Sequence, residues 1–392
     1  MMLGFLLARA GVGVIVLEKH ADFLRDFRGD TIHPSTLELM YELGLLEEFL
    51  KVPHQKVLGA QGRVGKDFLK LVDFTHLPTH CKFLALMPQW DFLNFLVAQG
   101  KRYPGFRVEM KVDVTDLMEQ DGRVIGVIAK TAQGEVRIKA LLSVGADGRR
   151  SVLRERAGLR VIDLGAPMDI FWMQINRQPS DPSQALGHVE SGRMFIMLDR
   201  GDYWQCGFII AKGAADDVRK RGIEKFRGDI ATLEPFLAHR VHELRDWNDV
   251  NLLTVKVDRL QRWWRPGLLC IGDAAHAMSP VGGVGINLAI QDAVAAANIL
   301  APRFAAGIIS DKDLQAVQNR RELPARMTQA VQVFVQNNVI RRVLSSDHPL
   351  TAPWPLKLIQ RWPVLRRIPG RAIGMGFRPE HVRTPDTAAL KH

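Results

Sequence analysis

Apolar and polar positions divide the chain into elements from its first residues. Met1 to Ala10 is almost wholly apolar and helical in character, and Gly11 suits its C-cap. Val12 to Leu17 is a short β-branched run, the pattern of a buried parallel strand, and it ends on Glu18 and Lys19. Pro34 suits the first turn of a further helix, Ser35-Thr36-Leu37-Glu38 reads as its capping box, and Gly44 ends it. Pro88 starts another helix with Phe92, Leu93, Phe95 and Leu96 on its apolar face. Residues 107 to 146 alternate as strands, with turns predicted at Asp121-Gly122 and Gln133-Gly134. Residues 164 to 258 carry strand-like runs at Ile170 to Ile175, Met194 to Leu198 and Tyr203 to Ala211, then a helical stretch around Ile223 to Leu237. Val57 to Leu86 is expected to add strands to that layer. Leu268 to Ile271 reads as a buried strand, followed after a glycine-rich loop by a long helix to Leu300. Asp311 to Leu344 reads as helix with a break at Pro324.

This order predicts an α/β protein with two intimately packed domains, as a chain of 392 residues requires. A dinucleotide-type domain takes residues 1–56, 87–163 and 259–300. An interleaved α+β domain takes 57–86 and 164–258 and encloses a ligand at the boundary. Residues 301–392 form a C-terminal helical region and tail. Hydrophobic residues at 47% and charged residues at 24% fit a globular chain. The net charge of +11 suits nucleic acid, anionic lipid or acidic small molecules. No Lys/Arg block is interleaved with aromatics, so nucleic acid is not the expected partner.

No stretch reaches 18 consecutive apolar residues, so no transmembrane helix is expected. Ala8-Arg9-Ala10 resembles a signal cleavage site, but no basic segment precedes it. Trp354 to Arg371 mixes prolines and apolar residues with Lys357, Arg361, Arg366, Arg367 and Arg371. That composition suits peripheral contact with a membrane or an apolar substrate pool, while the prolines favour a tail packed on the body. Cys81, Cys206 and Cys270 are scattered without metal-ligand spacing. A reducing, cytoplasmic setting follows, with Cys270 as a core residue.

Chemistry concentrates at two places. The first is the helix, tight turn and acid-tipped strand at the start, which form the second half of a dinucleotide-binding βαβ unit. There the Glu18 carboxylate would accept hydrogen bonds from a ribose, and a solvated loop acid is the alternative. The first strand and its G-x-G-x-x-G turn belong immediately before Met1 and are not in this sequence. A misassigned start or a truncated gene is the expectation, and a real truncation would put dinucleotide binding in doubt. Arg28 suits a phosphate or plain surface charge. Gln89 suits a cofactor contact or a solvated helix start. Asp147-Gly148 ends a strand before a short helix.

The second place is the run from Gly267 to Ala293. Gly272-Asp273 ends a buried strand, at the edge where open α/β sheets bind ligands. Gly282, Gly283 and Gly285 leave backbone N–H groups uncovered at the head of the long helix. Such a helix start favours negative charge by roughly 0.3–2 kcal/mol. The electron-rich N1–C2=O2 edge of a reduced flavin carries such charge, and Asp273 suits ribityl hydroxyls. His276, a few residues past the strand end, reads as a structural histidine.

Together these pieces resemble the FAD-dependent aromatic hydroxylases of the para-hydroxybenzoate and ubiquinone-pathway type. Leu6-Leu7-Ala8-Arg9-Ala10-Gly11 leads to Val14-Ile15-Val16-Leu17-Glu18, then Arg28, the Pro34 helix and Gln89. Val144-Gly145-Ala146-Asp147-Gly148 resembles the family's DG motif. Gly272-Asp273-Ala274-Ala275-His276, with Pro280 and Gly283 to Asn287, resembles its GD motif. The resemblance implies a Rossmann-like FAD domain of the glutathione-reductase type. It implies that Glu18, Lys19, Arg28, Gln89, Asp147, Gly148, Gly272 and Asp273 contact FAD, with Asp147 also handling the pyridine nucleotide. Pro280, Gly283, Gly285, Ile286 and Asn287 would lie beside the isoalloxazine. It further implies transient NAD(P)H as reductant, O2 as co-substrate, and oxygen transfer from a flavin C4a-hydroperoxide to a small aromatic substrate. No catalytic base is assigned. The rivals are an epoxidase, halogenase or reductase on the same scaffold, and an inactive flavin-fold relic. Trp263-Trp264 does not match the lysine-bearing W-x-W-x-I segment of such halogenases.

Overall fold

The structure is a computed structural model that describes residues 1–24, 31–182, 186–348 and 350–388. The apolar start forms a helix, Met2–Arg9, buried along nearly its whole length. Gly11 follows at φ +85°, the left-handed conformation that reverses the chain into Val14–Glu18. That strand pairs in parallel with Phe106–Met110, Val14 opposite Phe106. A second parallel pair, Ser143–Gly145 with Leu268–Cys270, is extended antiparallel by Trp264–Arg265. Among the described residues no strand pairing joins these two groups. Around them lies one large apolar cluster, with Leu6, Leu37, Phe92, Leu269 and Val294 in its interior.

The Gly285–Ala305 helix packs against Met2–Arg9 in that core. From the preceding turn onward it is long and apolar enough to cross a membrane, yet 67% of its most apolar stretch is buried within the fold. Asp113–Gln120, Arg123–Thr131 and Gly134–Lys139 form the expected meander. Asp121 and Gly122 both have positive φ, as a two-residue hairpin turn demands. The second turn falls one residue earlier than predicted, because Thr131 pairs with Gly134 and leaves Ala132 and Gln133 at the tip.

The second layer is a seven-stranded sheet in the order Val250–Leu253, Met168–Asn176, Tyr203–Ala211, Arg193–Asp199, Leu186–Glu190, Gly59–Val64, Asp67–Asp73. All neighbours are antiparallel except Leu186–Glu190 with Gly59–Val64. One face carries Phe171, Phe195, Trp204 and Phe208 and is covered by Phe226, Ile230 and Leu233 of the Ile223–Leu233 helix. The other carries Ile170, Trp172 and Ile209, packed with Met194, Ile196, Leu198 and Val281. Short strands Thr31–Ile32, Leu84–Leu86 and Gln55–Val57 form a small sheet of their own.

Two local expectations are corrected. Ser35–Glu38 is not a capping box: with Pro34 in the first turn the N-cap is His33. Ser35 and Thr36 are buried, and the Glu38 carboxylate accepts from the His80 N–H at 2.9 Å instead. A capping box does form at Ser310 and Asp313. Pro324 does not break its helix, which runs unbroken over Asp311–Val335 before a π-helical turn at Gln336–Ile340. Buried Arg321, Ala325, Gln329 and Gln332 anchor that helix on both sides of the proline, and this packing outweighs the single lost backbone bond.

Candidate functional site

Two strand ends build the centre. Ser143–Gly145 and Leu268–Cys270 are parallel neighbours, with Gly145 opposite Cys270. The segments that follow, Asp147-Gly148 and Gly272-Asp273, therefore leave the sheet at the same edge. Asp147 accepts from the Leu153 N–H at 3.2 Å and steadies the short helix after it. Gly148 takes φ +81°. Arg149 then reaches across, and its Nη2 donates to Asp273 at 3.5 Å. Asp273 keeps 31% of its side chain exposed between buried Gly272 and Ala274. Burial of its surroundings pushes the Asp273 carboxyl above the ordinary value, against the pull of Arg149 and His276. Cys270 beneath it is fully buried and its thiol is pushed up to about 12 by burial, as befits a core residue.

The glycine-rich loop closes over this edge. Val281–Gly283 forms a turn with Gly282 at φ +79° and Gly283 at φ +62°. No side chain caps the Gly285–Ala305 helix, so the positive end of a 21-residue helix is left to backbone N–H groups. A Cβ on Gly285 would stand 3.9 Å from the Asp273 carboxylate, which puts the loop and the acid side by side. A Cβ on Gly283 would come within 2.6 Å of the Thr31 hydroxyl, so only glycine fits there.

Asn287 is the knot of this loop. Its Oδ1 accepts from the His33 N–H at 2.9 Å and the Thr36 hydroxyl at 2.8 Å, and its Nδ2 donates to the Thr31 carbonyl at 2.9 Å. His33 is itself buried, its Nδ1 facing the Ile373 carbonyl at 2.7 Å. Burial lowers its pKa to about 4, although the carbonyls of Ile373 and Gly283 pull the other way. On the far side Gln332 donates to the carbonyls of Ser279 and Val281, both at 2.9 Å. Thr31, His33, Thr36 and Gln332 escaped the sequence reading, since nothing in their local pattern marks a partner so far along the chain.

A buried ionic chain backs the strand end. Asp292, fully buried, accepts from the Gly272 N–H at 3.0 Å, from His276 and from Arg321 Nε at 3.0 Å. Burial pushes its carboxyl up, but His276 and Arg321 more than offset this and hold it below the ordinary value. Arg321 also donates to Glu380 at 3.2 Å. His276 is 1% exposed and lies under the Trp263 ring, so it is the structural histidine expected.

Glu18, Lys19 and Gln89 lie on other elements, whereas Pro280 and Ile286 belong to the glycine loop itself. Glu18 ends the first parallel pair, half-buried, and accepts from the His20 N–H at 3.0 Å, while Lys19 is exposed. Gln89 is the first residue of Gln89–Gly100, half-buried behind Pro88. Pro280 opens the Val281–Gly283 turn, and Ile286 lies in the first turn of the long helix. Arg28 lies outside the described residues. A cavity of about 700 Å³ beside Arg160, Arg262, Trp264 and Gln315 contains none of these residues.

The centre fits the isoalloxazine end of a flavin. An uncapped helix start with glycine backbone stands beside a partly open acid, and the far side is the apolar face of the large sheet. These features suit a flavin-binding α/β oxidoreductase. Residues 1–331 match the FAD binding domain family. The chain belongs to that family and is an FAD-dependent monooxygenase.

It is 30% identical over 387 residues to 6-methylpretetramide 4-monooxygenase of Streptomyces rimosus, across 97% of this chain and 91% of that one. It is 25% identical to the rifampicin monooxygenase of Streptomyces venezuelae across 72% of this chain, and spans 58% of that protein's length. The structure of p-nitrophenol 4-monooxygenase from Pseudomonas putida superposes with a TM-score of 0.74 at 19% identity. That match covers 96% of this chain and 95% of that one and shows a shared fold.

Proposed function

We propose that the protein hydroxylates a small aromatic substrate, using NAD(P)H and O2. The observation that carries this is the position of Val281. It belongs both to the glycine loop and to the apolar cluster that includes Trp172, Ile196 and Leu198 of the large sheet. A flat apolar molecule on that face would lie against the loop, with water kept out. The chemical names of the relatives, a pretetramide and a nitrophenol oxygenase, point the same way.

When bound, FAD supplies the redox chemistry that activates O2 for transfer of one oxygen atom to the substrate. This chain's residues bind and orient it. The helix start at Gly285, Ile286 and Asn287, with Pro280 and Gly283 shaping the turn, would stabilise negative charge on the ring edge. Asp273 and Gly272 would take the ribityl region, Asp147 and Gly148 the neighbouring hydroxyls and the pyridine nucleotide. Glu18 and Lys19 would take the adenosine end, and Gln89 the chain between. Cys81, Cys206 and Cys270 are all free and buried, which supports a cytoplasmic setting.

The test is purification followed by a screen of phenols and polycyclic phenols. The expected result is a yellow protein whose NAD(P)H consumption rises with substrate and whose product carries ¹⁸O from labelled O2. NAD(P)H consumption with no label in any product would instead mean a reductase.

A further inference from the structure

We propose that the segment from Trp354 to Arg371 docks the protein on an anionic membrane surface. From His348 to Pro379 the sequence holds no Asp or Glu but six basic residues, Lys357, Arg361, Arg366, Arg367, Arg371 and Arg378. Two short helices, Trp354–Arg361 and Arg367–Gly374, are joined by a turn at Pro363–Arg366. Their outward apolar side chains are large and open: Trp354 is 73% exposed, Ile368 69%, Trp362 57% and Val364 55%. This exposure is not a frayed end. Both helices pack on the edge strand Asp67–Asp73, and Gln360 donates to the Lys70 carbonyl at 2.6 Å. Gly370 lies so close to Asp73 that a Cβ there would meet its carbonyl at 2.1 Å. The segment is held firmly while its apolar residues face outward.

Tryptophans flanked by lysine and arginine are the composition that seats a protein at the headgroup level. The rings enter the acyl boundary and the cations meet anionic lipid. A second copy is a poorer occupant, because two such segments, each basic and without an Asp or Glu of its own, would bring like charge against like charge. Docking here has a bearing on the active site. Ile373, in the last turn of the Arg367–Gly374 helix, meets His33 through its carbonyl and lies 3.9 Å from where a Cβ on Gly282 would stand. It also packs with Phe74, Leu77 and Leu198. The docked face and the glycine loop are two sides of one wall, so an apolar substrate dissolved in the bilayer would be presented beside the site.

The test uses the full chain and sedimentation with sucrose-loaded vesicles of phosphatidylcholine, with or without phosphatidylglycerol. The expected result is pelleting with the anionic vesicles, little with the neutral ones, and release by salt. Trp362→Ser with Ile368→Ser, and separately Lys357→Glu with Arg361→Glu, should each weaken anionic-vesicle binding roughly tenfold or more. Melting temperature and FAD content should stay unchanged. Failure to pellet overturns the proposal, as does pelleting that neither pair of substitutions weakens. Conversion of a dimer to a monomer by the Trp362/Ile368 pair, without any vesicle binding, would assign the face to a second copy instead.

Discussion

The two ends of the proposed cofactor site are built differently. At the flavin end, Asn287, Asp292 and Gln332 bind segments far apart in sequence, and nearly every partner is buried. At the end proposed for the adenosine, Glu18 accepts a hydrogen bond from a residue two positions on, and Lys19 is exposed. The strand pair bearing Glu18 shares no pairing with the pair bearing Asp147 and Asp273 among the described residues. The contrast indicates where preorganisation is needed. Charge develops at the ring, so its surroundings are fixed before binding. The proposed adenosine end would contribute affinity, which adaptable surface groups can provide.

Substitutions can break or sharpen this contrast. The largest effect is expected from Asp292→Ala, which strands Arg321 and His276 in the interior. It should cost about 4 kcal/mol of stability by denaturant titration and release the flavin. Asn287→Ala comes next. It leaves the His33 N–H, the Thr36 hydroxyl and the Thr31 carbonyl without their partner, at about 3 kcal/mol, with a matching loss of FAD affinity followed by flavin fluorescence.

His33 gives a smaller, pH-dependent effect. Its pKa is lowered to about 4 in the fold against 6.5 in the unfolded chain, so the unfolded state takes up the proton first. Its contribution is present above the unfolded value and is lost as pH falls towards 4. Between about pH 7 and about pH 5.5 the loss should be about 1 kcal/mol, and it should vanish in His33→Gln when the two proteins' melting curves are compared. Glu18→Gln should do least, weakening FAD by less than about fivefold, with stability unaltered. A tenfold or larger loss there would overturn the view of an adaptable adenosine end.

What could be read from the chain beforehand follows from how local each signal is. A β-branched run ending in an acid, or a buried strand followed by clustered glycines, is written in consecutive residues. Val14–Glu18 and the Leu268–Asn287 region were legible for that reason. The partners of Asn287 lie about 250 positions away and share no period with it, so no local pattern marks Thr31, His33 and Thr36 as its partners. Pro324 and Ser35 misled in the opposite direction. Each carries a strong local preference, and burial against distant segments overrode it.

The chain of contacts from Gly272 through Asp292 and Arg321 to Glu380 has a consequence for biosynthesis. A strand end is braced by a residue translated more than a hundred codons after it. The cradle therefore gains its full bracing only once that later segment has folded back. Firm cofactor binding is then expected to wait on that later segment.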